Sequence, residues 1–334
     1  MRIKILGNGP SATTFVLSAY KKADVSLVSP FEPKSICAGG IGYFALKNIE
    51  RIVDKVVVEY IYRSVKTYVN FVEFFFHITP SEFNMYSISK DDLKLPFLGI
   101  VIDRIEFDKN LLNKALDHVT DVKNFDMVVD ARGYVSQVHI PKKDLFVAGQ
   151  YWIETKDIDN GIRIRFWKIP KGYFWEFPEE DNGILKLGVA VSLEDIDAYG
   201  HPKKLLDEYI DVFKISGRIV KEGYKLLPLT KPSKSVLVGK EIRVGTAGLL
   251  VDPLTGAGIK YALISSSILS KCLDNNNIEK CYTKKLANTL RKLRIQYVLR
   301  EWAERKGIWG YEKYLNKLMK MIEFGVWRAF VWLI

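Results

Sequence analysis

The sequence predicts a mixed α/β fold in which a parallel-sheet layer is interrupted by antiparallel strands and followed by a helical tail. Three observations predict it. The chain opens with a strand, a glycine-rich turn and a helix, and a second glycine-rich turn leads into a helix within residues 245–263. Between them lie runs of alternating apolar and polar residues, the period of half-buried strands. At 334 residues, 48% hydrophobic and 27% charged, the chain can bury a substantial core in two interleaved lobes.

Residues 3–6 form a short apolar strand, followed by Gly7-Asn8-Gly9-Pro10-Ser11-Ala12 and an apolar stretch over 15–20 suited to a helix. This is GxGxxA between strand and helix, a dinucleotide-binding pattern. The first glycine permits the tight turn and the second lets backbone approach a pyrophosphate. Ala12 keeps helix and strand close, so the helix N-terminus faces the phosphates. A second strand over 25–28 ends where an acidic residue ordinarily takes the ribose hydroxyls. Ser29 stands there, and Glu32 is either its substitute or a solvated loop charge.

Stretches 56–61 and 65–78 are rich in β-branched and aromatic residues and read as antiparallel strands. Asp108 is a plausible N-cap for a helix carrying Leu111, Leu112, Ala115 and Leu116 on one face. Residues 151–191 alternate again. Within them Tyr173, Trp175 and Phe177 fall on one face of a strand, as sheet core or as the wall of a cavity. Val244-Gly245-Thr246-Ala247 then reads as a strand end. Asp252-Pro253-Leu254-Thr255-Gly256-Ala257-Gly258 is a turn into a helix starting near Ile259. Glycines beside a helix N-terminus let backbone N–H groups meet a ligand oxygen or an electron-rich ring edge.

Cys37, Cys272 and Cys281 fit no disulfide framework or zinc spacing, and no metal site is expected. The start lacks a charged region followed by an apolar run and a cleavage site, and no apolar stretch reaches the roughly 18 residues of a membrane span. The expectation is a cytoplasmic protein with reduced thiols. His77, His118, His139 and His201 form no motif and are read as structural.

Residues 281–334 hold twelve Lys or Arg and four Asp or Glu, +8 of the formal +11. They read as helices over 286–306 and from Tyr311 onward, ending in an aromatic-rich apolar segment, 324–334. Such a tail either lies on an anionic membrane surface or docks on the core. Nucleic-acid binding is not expected, because no recognised module is present.

The ordered motifs resemble those of the geranylgeranyl reductase family of FAD-dependent oxidoreductases, within the para-hydroxybenzoate hydroxylase-like flavoprotein superfamily. Besides the two glycine-rich segments, Cys37-Ala38-Gly39-Gly40 resembles the family's cysteine loop after the second strand. Arg104-Ile105-Glu106-Phe107-Asp108 with Leu111 and Leu112 resembles its R-x-x-F-D-x-x-L element, whose arginine lies against FAD. Val129-Asp130-Ala131-Arg132-Gly133, with Ser136 behind, resembles its DAxGxxS turn. Gly172-Tyr173-Phe174-Trp175-Glu176-Phe177-Pro178, followed by Leu187-Gly188-Val189, resembles the YxWxFP element and downstream VG that line the prenyl cavity. The resemblance covers about the first 270 residues.

The resemblance implies a Rossmann-like FAD-binding domain (1–55, 96–150 and 233–275), an inserted antiparallel β-sheet substrate domain (56–95 and 151–232) and a basic helical region (276–334). It implies FAD contacts from Gly7, Gly9, Pro10, Ser11, Ala12, Glu32, Cys37, Ala38, Gly39, Gly40, Arg104, Ala131, Gly133, Gly245, Thr246, Pro253, Gly256, Ala257, Gly258 and Ile259. Substrate contacts fall to Tyr173, Trp175, Phe177 and Pro178. The implied chemistry is reduction of carbon–carbon double bonds in a polyprenyl lipid by hydride from reduced FAD. Cys37 is then a candidate proton relay or an inert buried thiol. NAD(P)H, ferredoxin and a reductase partner stay open as electron donors, since no separate nicotinamide-binding motif is evident. Relatives begin the late signature Gly-Asp-Ala-Ala-Gly, whereas this chain has Gly245-Thr246-Ala247-Gly248-Leu249, so with Ser29 two polar anchors are altered. Another superfamily flavoenzyme, a monooxygenase or quinone-linked dehydrogenase, and a flavin-free lipid-binding protein are the alternatives.

Overall fold

The computed structural model describes residues 1–29, 36–135, 139–233, 236–238 and 241–323. Glu32, Ser136 and the apolar segment 324–334 lie outside the described residues.

In chain order, β1 (Arg2–Leu6), α1 (Pro10–Ala19) and β2 (Asp24–Val28) open the fold. There follow β3 (Gly40–Gly42), α2 (Tyr43–Ile52), α3 (Lys55–Arg63), β4 (Val65–Val69), the hairpin β5 (Phe71–His77) and β6 (Phe83–Ser89), and β7 (Gly99–Ile102). Helix α4 (Arg104–Leu116) leads to β8 (Met127–Asp130). The chain continues through β9 (Leu145–Glu154), β10 (Gly161–Phe166), β11 (Gly172–Glu179), β12 (Ile184–Ser192), α5 (Ile196–Tyr199), α6 (Pro202–Phe213) and β13 (Arg218–Pro228). It closes with β14 (Leu237–Val238), β15 (Glu241–Arg243), α7 (Ile259–Ser270), α8 (Ile278–Glu304) and α9 (Ile308–Glu323).

The first sheet has the order β14-β15-β8-β1-β2. It is parallel from β15 to β2, so these strands end at one common edge. Its core packs Ile3, Ile5, Phe15, Val129 and residues of α4, α7 and α8. The second sheet has the order β13-β9-β12-β11-β10-β5-β6 and is antiparallel except at β5–β10. That pair is parallel because no hairpin joins it: after β6 the chain leaves the sheet through β7, α4 and β8, re-enters as β9 antiparallel to β5, and then reverses into β10. A third, three-stranded sheet, β3-β7-β4, stands apart, so the inserted strands do not make one sheet.

Several sequence expectations are corrected. Residues 56–61 are helical, within α3, despite their β-branched composition. Asp54 caps α3 by accepting from the Val56 N–H at 3.0 Å, and Val57 and Ile61, one turn apart, are both buried. A cap and an i,i+4 apolar stripe outweigh a strand propensity worth tenths of a kcal/mol. Asp108 is not an N-cap; Asp103 is, accepting from Ile105 and Glu106 N–H groups at 2.8 and 3.1 Å. Strand β9 starts at Leu145, so it crosses the expected boundary at 150/151. Gly245–Gly248 is a 3-10 turn rather than a strand end. The thiol expectation also fails for two residues: Cys272 and Cys281 form a disulfide with Cα atoms 5.8 Å apart. They meet because α7 and α8 turn back on each other, a tertiary event that cysteine spacing does not encode. Cys37 is the remaining thiol. No helix of the described residues is long and apolar enough to cross a membrane.

Strand β12 shows how the second sheet is shared between two neighbours. Leu185, Leu187, Val189 and Val191 pack toward Leu205, Leu206 and Tyr209 of α6. The other face carries Lys186, Gly188 and Ala190. Lys186 is 1% exposed and ion-paired with Glu179, and it donates to the carbonyls of Ala38 at 3.2 Å and Ile102 at 3.0 Å. One buried ammonium thus ties the cysteine loop and the end of β7 to the second sheet.

Lys186→Met leaves Glu179 buried without its cation, and denaturant unfolding is expected to read a loss of about 3–5 kcal/mol. A loss under about 1 kcal/mol would show that the pair contributes only packing. Cys281→Ser is expected to cost about 2–3 kcal/mol by opening a short loop. Thiol titration of denatured, unreduced wild-type protein should find one reactive cysteine, and three would refute the disulfide.

Candidate functional site

The common edge of the parallel strands is built by residues far apart in sequence. Gly7 follows β1 with φ +113°, and a Cβ there would lie 2.6 Å from the Ala131 carbonyl oxygen, so only glycine fits. Gly9 is the N-cap of α1, with no side-chain cap, and a Cβ on it would meet nothing within 4 Å. Pro10 occupies the first helical turn, where its missing N–H costs no hydrogen bond. Ser11 stands against Gly245, where a Cβ would come within 2.2 Å of its Oγ, and Ala12 is fully buried. Thr246 Oγ1 lies 3.8 Å from where a Gly258 Cβ would be. Gly133 has φ +73° and open space where a side chain would stand.

Helix α7, like α1, starts from a glycine N-cap with no side-chain cap, and the two helices pack on each other. Both therefore present first-turn N–H groups and the positive end of a helix dipole near one edge. The early and late motifs are brought together; Pro253 is buried within the second turn.

The cysteine loop meets Arg104 from another direction. Arg104, the first residue of α4, is ion-paired with Asp108 at 3.0 Å and lies against the Cys37 sulfur. Burial opposes its charge, but Asp108 and Cys37 outweigh burial and its pKa is raised. Lys225 on β13 stands near the same group, and burial together with Arg104 lowers its pKa.

A largely apolar cavity of about 480 Å³ adjoins this edge. Its wall joins the loop 37–40 to Tyr173, Trp175 and Phe177 of β11 and to Gly256, Ala257 and Gly258. Each aromatic is fixed by a partner. The Tyr173 hydroxyl donates to the Thr255 carbonyl at 2.5 Å, and Trp175 Nε1 donates to Gln150 Oε1 at 3.3 Å. The Trp175 ring covers Gly188, and Phe177 covers Gly40, both positions where a Cβ would collide with the ring. Pro178 does not line this cavity; strand alternation turns it to the other face, and its carbonyl accepts from Thr67 Oγ1 at 2.9 Å.

The cavity also has a polar corner that the motifs did not reveal. Asp252 is 2% exposed; burial raises its pKa against N–H donors from Leu254 at 2.9 Å and Thr255 at 3.2 Å and the Gln296 amide at 2.6 Å. Lys260 lines the cavity beside it, and Lys292 is pulled down to about 8 by burial and by Lys260. Asp252 was readable as a turn carboxylate. Lys292 and Gln296 come from α8, outside the motif-bearing part of the chain. Lys186 carried one signal, a charge inside the apolar alternation of β12. Among the histidines, His77 is buried beside Phe213, with a pKa lowered to about 4 by burial and Arg165, and it does not line the cavity.

No model of a known protein family matches the chain. It is 24% identical over 254 residues to the digeranylgeranylglycerophospholipid reductase of Thermoplasma acidophilum, covering 69% of this chain and 62% of that protein, just under two thirds of its length. It is 22% identical over 316 residues to digeranylgeranylglycerophospholipid reductase 3 of Methanosphaera stadtmanae, covering 80% of this chain and 76% of that protein. Among solved structures, a geranylgeranyl bacteriochlorophyll reductase-like protein of Thermoplasma acidophilum superposes with a TM-score of 0.75 at 19% identity, covering 96% of this chain and 91% of that one. The chain is thus similar in sequence, over more than two thirds of its length, to proteins named digeranylgeranylglycerophospholipid reductase, and it shares the fold of a geranylgeranyl bacteriochlorophyll reductase-like protein.

Proposed function

We propose that this protein is an FAD-dependent oxidoreductase that reduces carbon–carbon double bonds of a polyprenyl lipid. The observation that carries the reading is an apolar cavity whose wall combines the cysteine loop, the β11 aromatics and the Gly256–Gly258 turn. Such a wall suits a long hydrocarbon chain held against a planar ring. The names of the similar proteins support the same substrate class.

The residues present fit FAD. Open space above Gly9 at an uncapped helix N-terminus is a cradle for pyrophosphate, and any larger residue would fill it. Gly7, Pro10, Ser11, Ala12, Ala131 and Gly133 would frame that end. Arg104, Gly245 and Thr246 would hold the middle of the cofactor, with Gly256, Ala257, Gly258 and Ile259 at its ring. Threonine at 246 offers one uncharged hydrogen bond where relatives carry a carboxylate. When bound, FAD supplies the electron pair and hydride equivalent that an isolated alkene needs.

The chain's own side chains do the rest. Tyr173, Trp175 and Phe177 exclude water and orient the prenyl chain, and their locked rotamers keep the reacting carbons in place. Lys186 holds the Cys37 loop against the cavity through the Ala38 carbonyl. The basic C-terminal region, with +8 formal charge in residues 281–334, supports contact with an anionic membrane surface from which such a lipid would be drawn.

The testing experiment is reconstitution with FAD, followed by supply of reductant and a long-chain prenyl lipid, with product mass read for added hydrogens. Mass gain supports the reading; an FAD-loaded protein that leaves every prenyl chain unreduced overturns it, and oxygen uptake or quinone reduction would point to another flavoenzyme. Gly9→Val is expected to abolish FAD binding while circular dichroism stays unchanged, and a variant that keeps flavin absorbance would refute the pyrophosphate assignment. Trp175→Ala is expected to keep its flavin and lose at least about tenfold in turnover. An unchanged rate would return Trp175 to a packing role.

A further inference from the structure

The apolar floor of the cavity does not stop at the motif that carries Tyr173 and Trp175. On the same face of the seven-stranded sheet, Trp175 of β11 pairs with Ile164 of β10, and Ile164 pairs in register with Phe74 of β5. Phe166 and Phe76 form the next row and stack with ring centroids 4.7 Å apart. All four line the cavity, which thus extends two strand spacings, about 10 Å, beyond β11.

A helix outside every motif roofs this part. Tyr311, Tyr314 and Leu315 of α9, spaced at i, i+3 and i+4, share one helix face and line the cavity. Tyr311 stacks on Phe166 with ring centroids 4.9 Å apart, Leu315 packs in the same cluster, and Tyr314 packs in a cluster with Phe74, Ile88 and Leu93. The turn at Gly307, φ +63°, folds α9 back from α8, and Gly310 packs so closely that a Cβ would lie 2.2 Å from the Ala303 carbonyl oxygen.

Among these residues α9 carries one buried carboxylate. Glu312 is 9% exposed, and its Oε1 accepts from Asn84 Nδ2 at 2.8 Å and from the Tyr86 hydroxyl at 3.1 Å, both on β6 at the edge of the sheet. Both donors are neutral, so the carboxylate gains direction from them more than Coulomb energy. Tyr86 also meets Phe76 edge-on, with centroids 5.8 Å apart. Helix α9 is therefore stacked on β10 and hydrogen-bonded to β6, and it bridges β5, the strand between them. Two directional bonds fix the rotation of the helix about its axis, and that rotation decides whether Tyr314 and Leu315 face the cavity.

We propose that this part of the cavity is a second leg of the substrate site, which takes the isoprene units lying beyond the reacting double bond, and that Glu312 is the positioning residue for its roof. The inference rests on reading the cavity as a prenyl-lipid site. The ligand that fits the leg is a flexible hydrocarbon: sheet and helix both offer it aromatic and aliphatic side chains, and the Glu312 carboxylate is already engaged by Asn84 and Tyr86. A polyprenyl chain has to meet two demands at once, one alkene fixed at the reacting position and the remaining units kept out of water. The β11 aromatics serve the first, and α9 with β5 and β10 serves the second.

The test is equilibrium dialysis of full-length, FAD-loaded protein against prenyl alcohols of two and four isoprene units. A buried methylene is worth about fourfold in affinity, so wild-type protein should bind the longer alcohol at least about 100-fold more tightly. Glu312→Ala, which leaves Asn84 and Tyr86 without their acceptor, should cut that advantage at least about tenfold while binding of the two-unit alcohol and of FAD stays within about twofold. Glu312→Gln keeps an acceptor oxygen and should restore most of it. Leu315→Phe, which adds bulk inside the leg, should remove the advantage without touching the Glu312 hydrogen bonds. Where turnover is read, the Glu312→Ala loss should appear in KM with kcat little changed, since the leg holds carbons that do not react. A wild-type protein with no preference for the longer alcohol, a preference unchanged in Glu312→Ala or in Leu315→Phe, or equal weakening of both alcohols would overturn the second leg. If the four-unit alcohol binds but is never reduced, the reductase reading fails, and the dialysis series still decides whether the leg exists.

Discussion

The rest of the structure depends on the close approach of backbone to backbone at the edge of the parallel sheet. A side chain at Gly7 would strike the Ala131 carbonyl, and one at Gly245 would strike Ser11. Because neither position carries a side chain, α1 starts directly above the strand ends and packs on α7. Two uncapped helix N-termini then come to one edge, where their unsatisfied N–H groups have to be met by water or by a ligand. Everything proposed about a nucleotide cofactor follows from that geometry.

The cavity depends on a second division of labour, between the two faces of the seven-stranded sheet. One face of β12 is filled with leucine and valine against α6, while the other has only Gly188 and Ala190 beside Lys186. Small residues there admit the Trp175 ring, and the ring in turn forms the wall. Lys186 is costly to bury, and its hydrogen bonds to Ala38 and Ile102 with its Glu179 partner offset that cost. The result joins the second and third sheets and the cysteine loop around one apolar space. Its polar lining includes Lys225 near the cysteine loop, Gln150 beside Trp175, and Asp252 and Lys260 at the second turn.

The corrections share a cause. Residues 56–61 looked like a strand because β-branched residues favour extended backbone, yet Asp54 and the spacing of Val57 and Ile61 made them a helix. Asp108 looked like a cap, but it is Arg104's partner one turn into a helix already capped by Asp103. Pro178 belonged to a motif whose odd-numbered aromatics face the cavity, and alternation carries it to the opposite face. In each instance a short-range preference competed with a neighbouring residue or a pleat direction that a motif string does not weigh.

The sequence by itself determined the local events: the strand, turn and helix at residues 3–20, the turn into a helix at Ile259, the shared face of Tyr173, Trp175 and Phe177, and the basic C-terminal helices. These are legible because glycine, proline and the apolar period act within a few residues of themselves. Only the tertiary structure decided that Gly7 meets Ala131, that Ser11 meets Gly245, that β5 runs parallel to β10, that Cys272 reaches Cys281, that Lys186 reaches Ala38 and Ile102, and that Asp252 and Lys260 line one cavity with Lys225. Those contacts join residues brought together by chain reversals and helix packing, and a linear pattern holds no record of which distant partner will neutralise a buried charge.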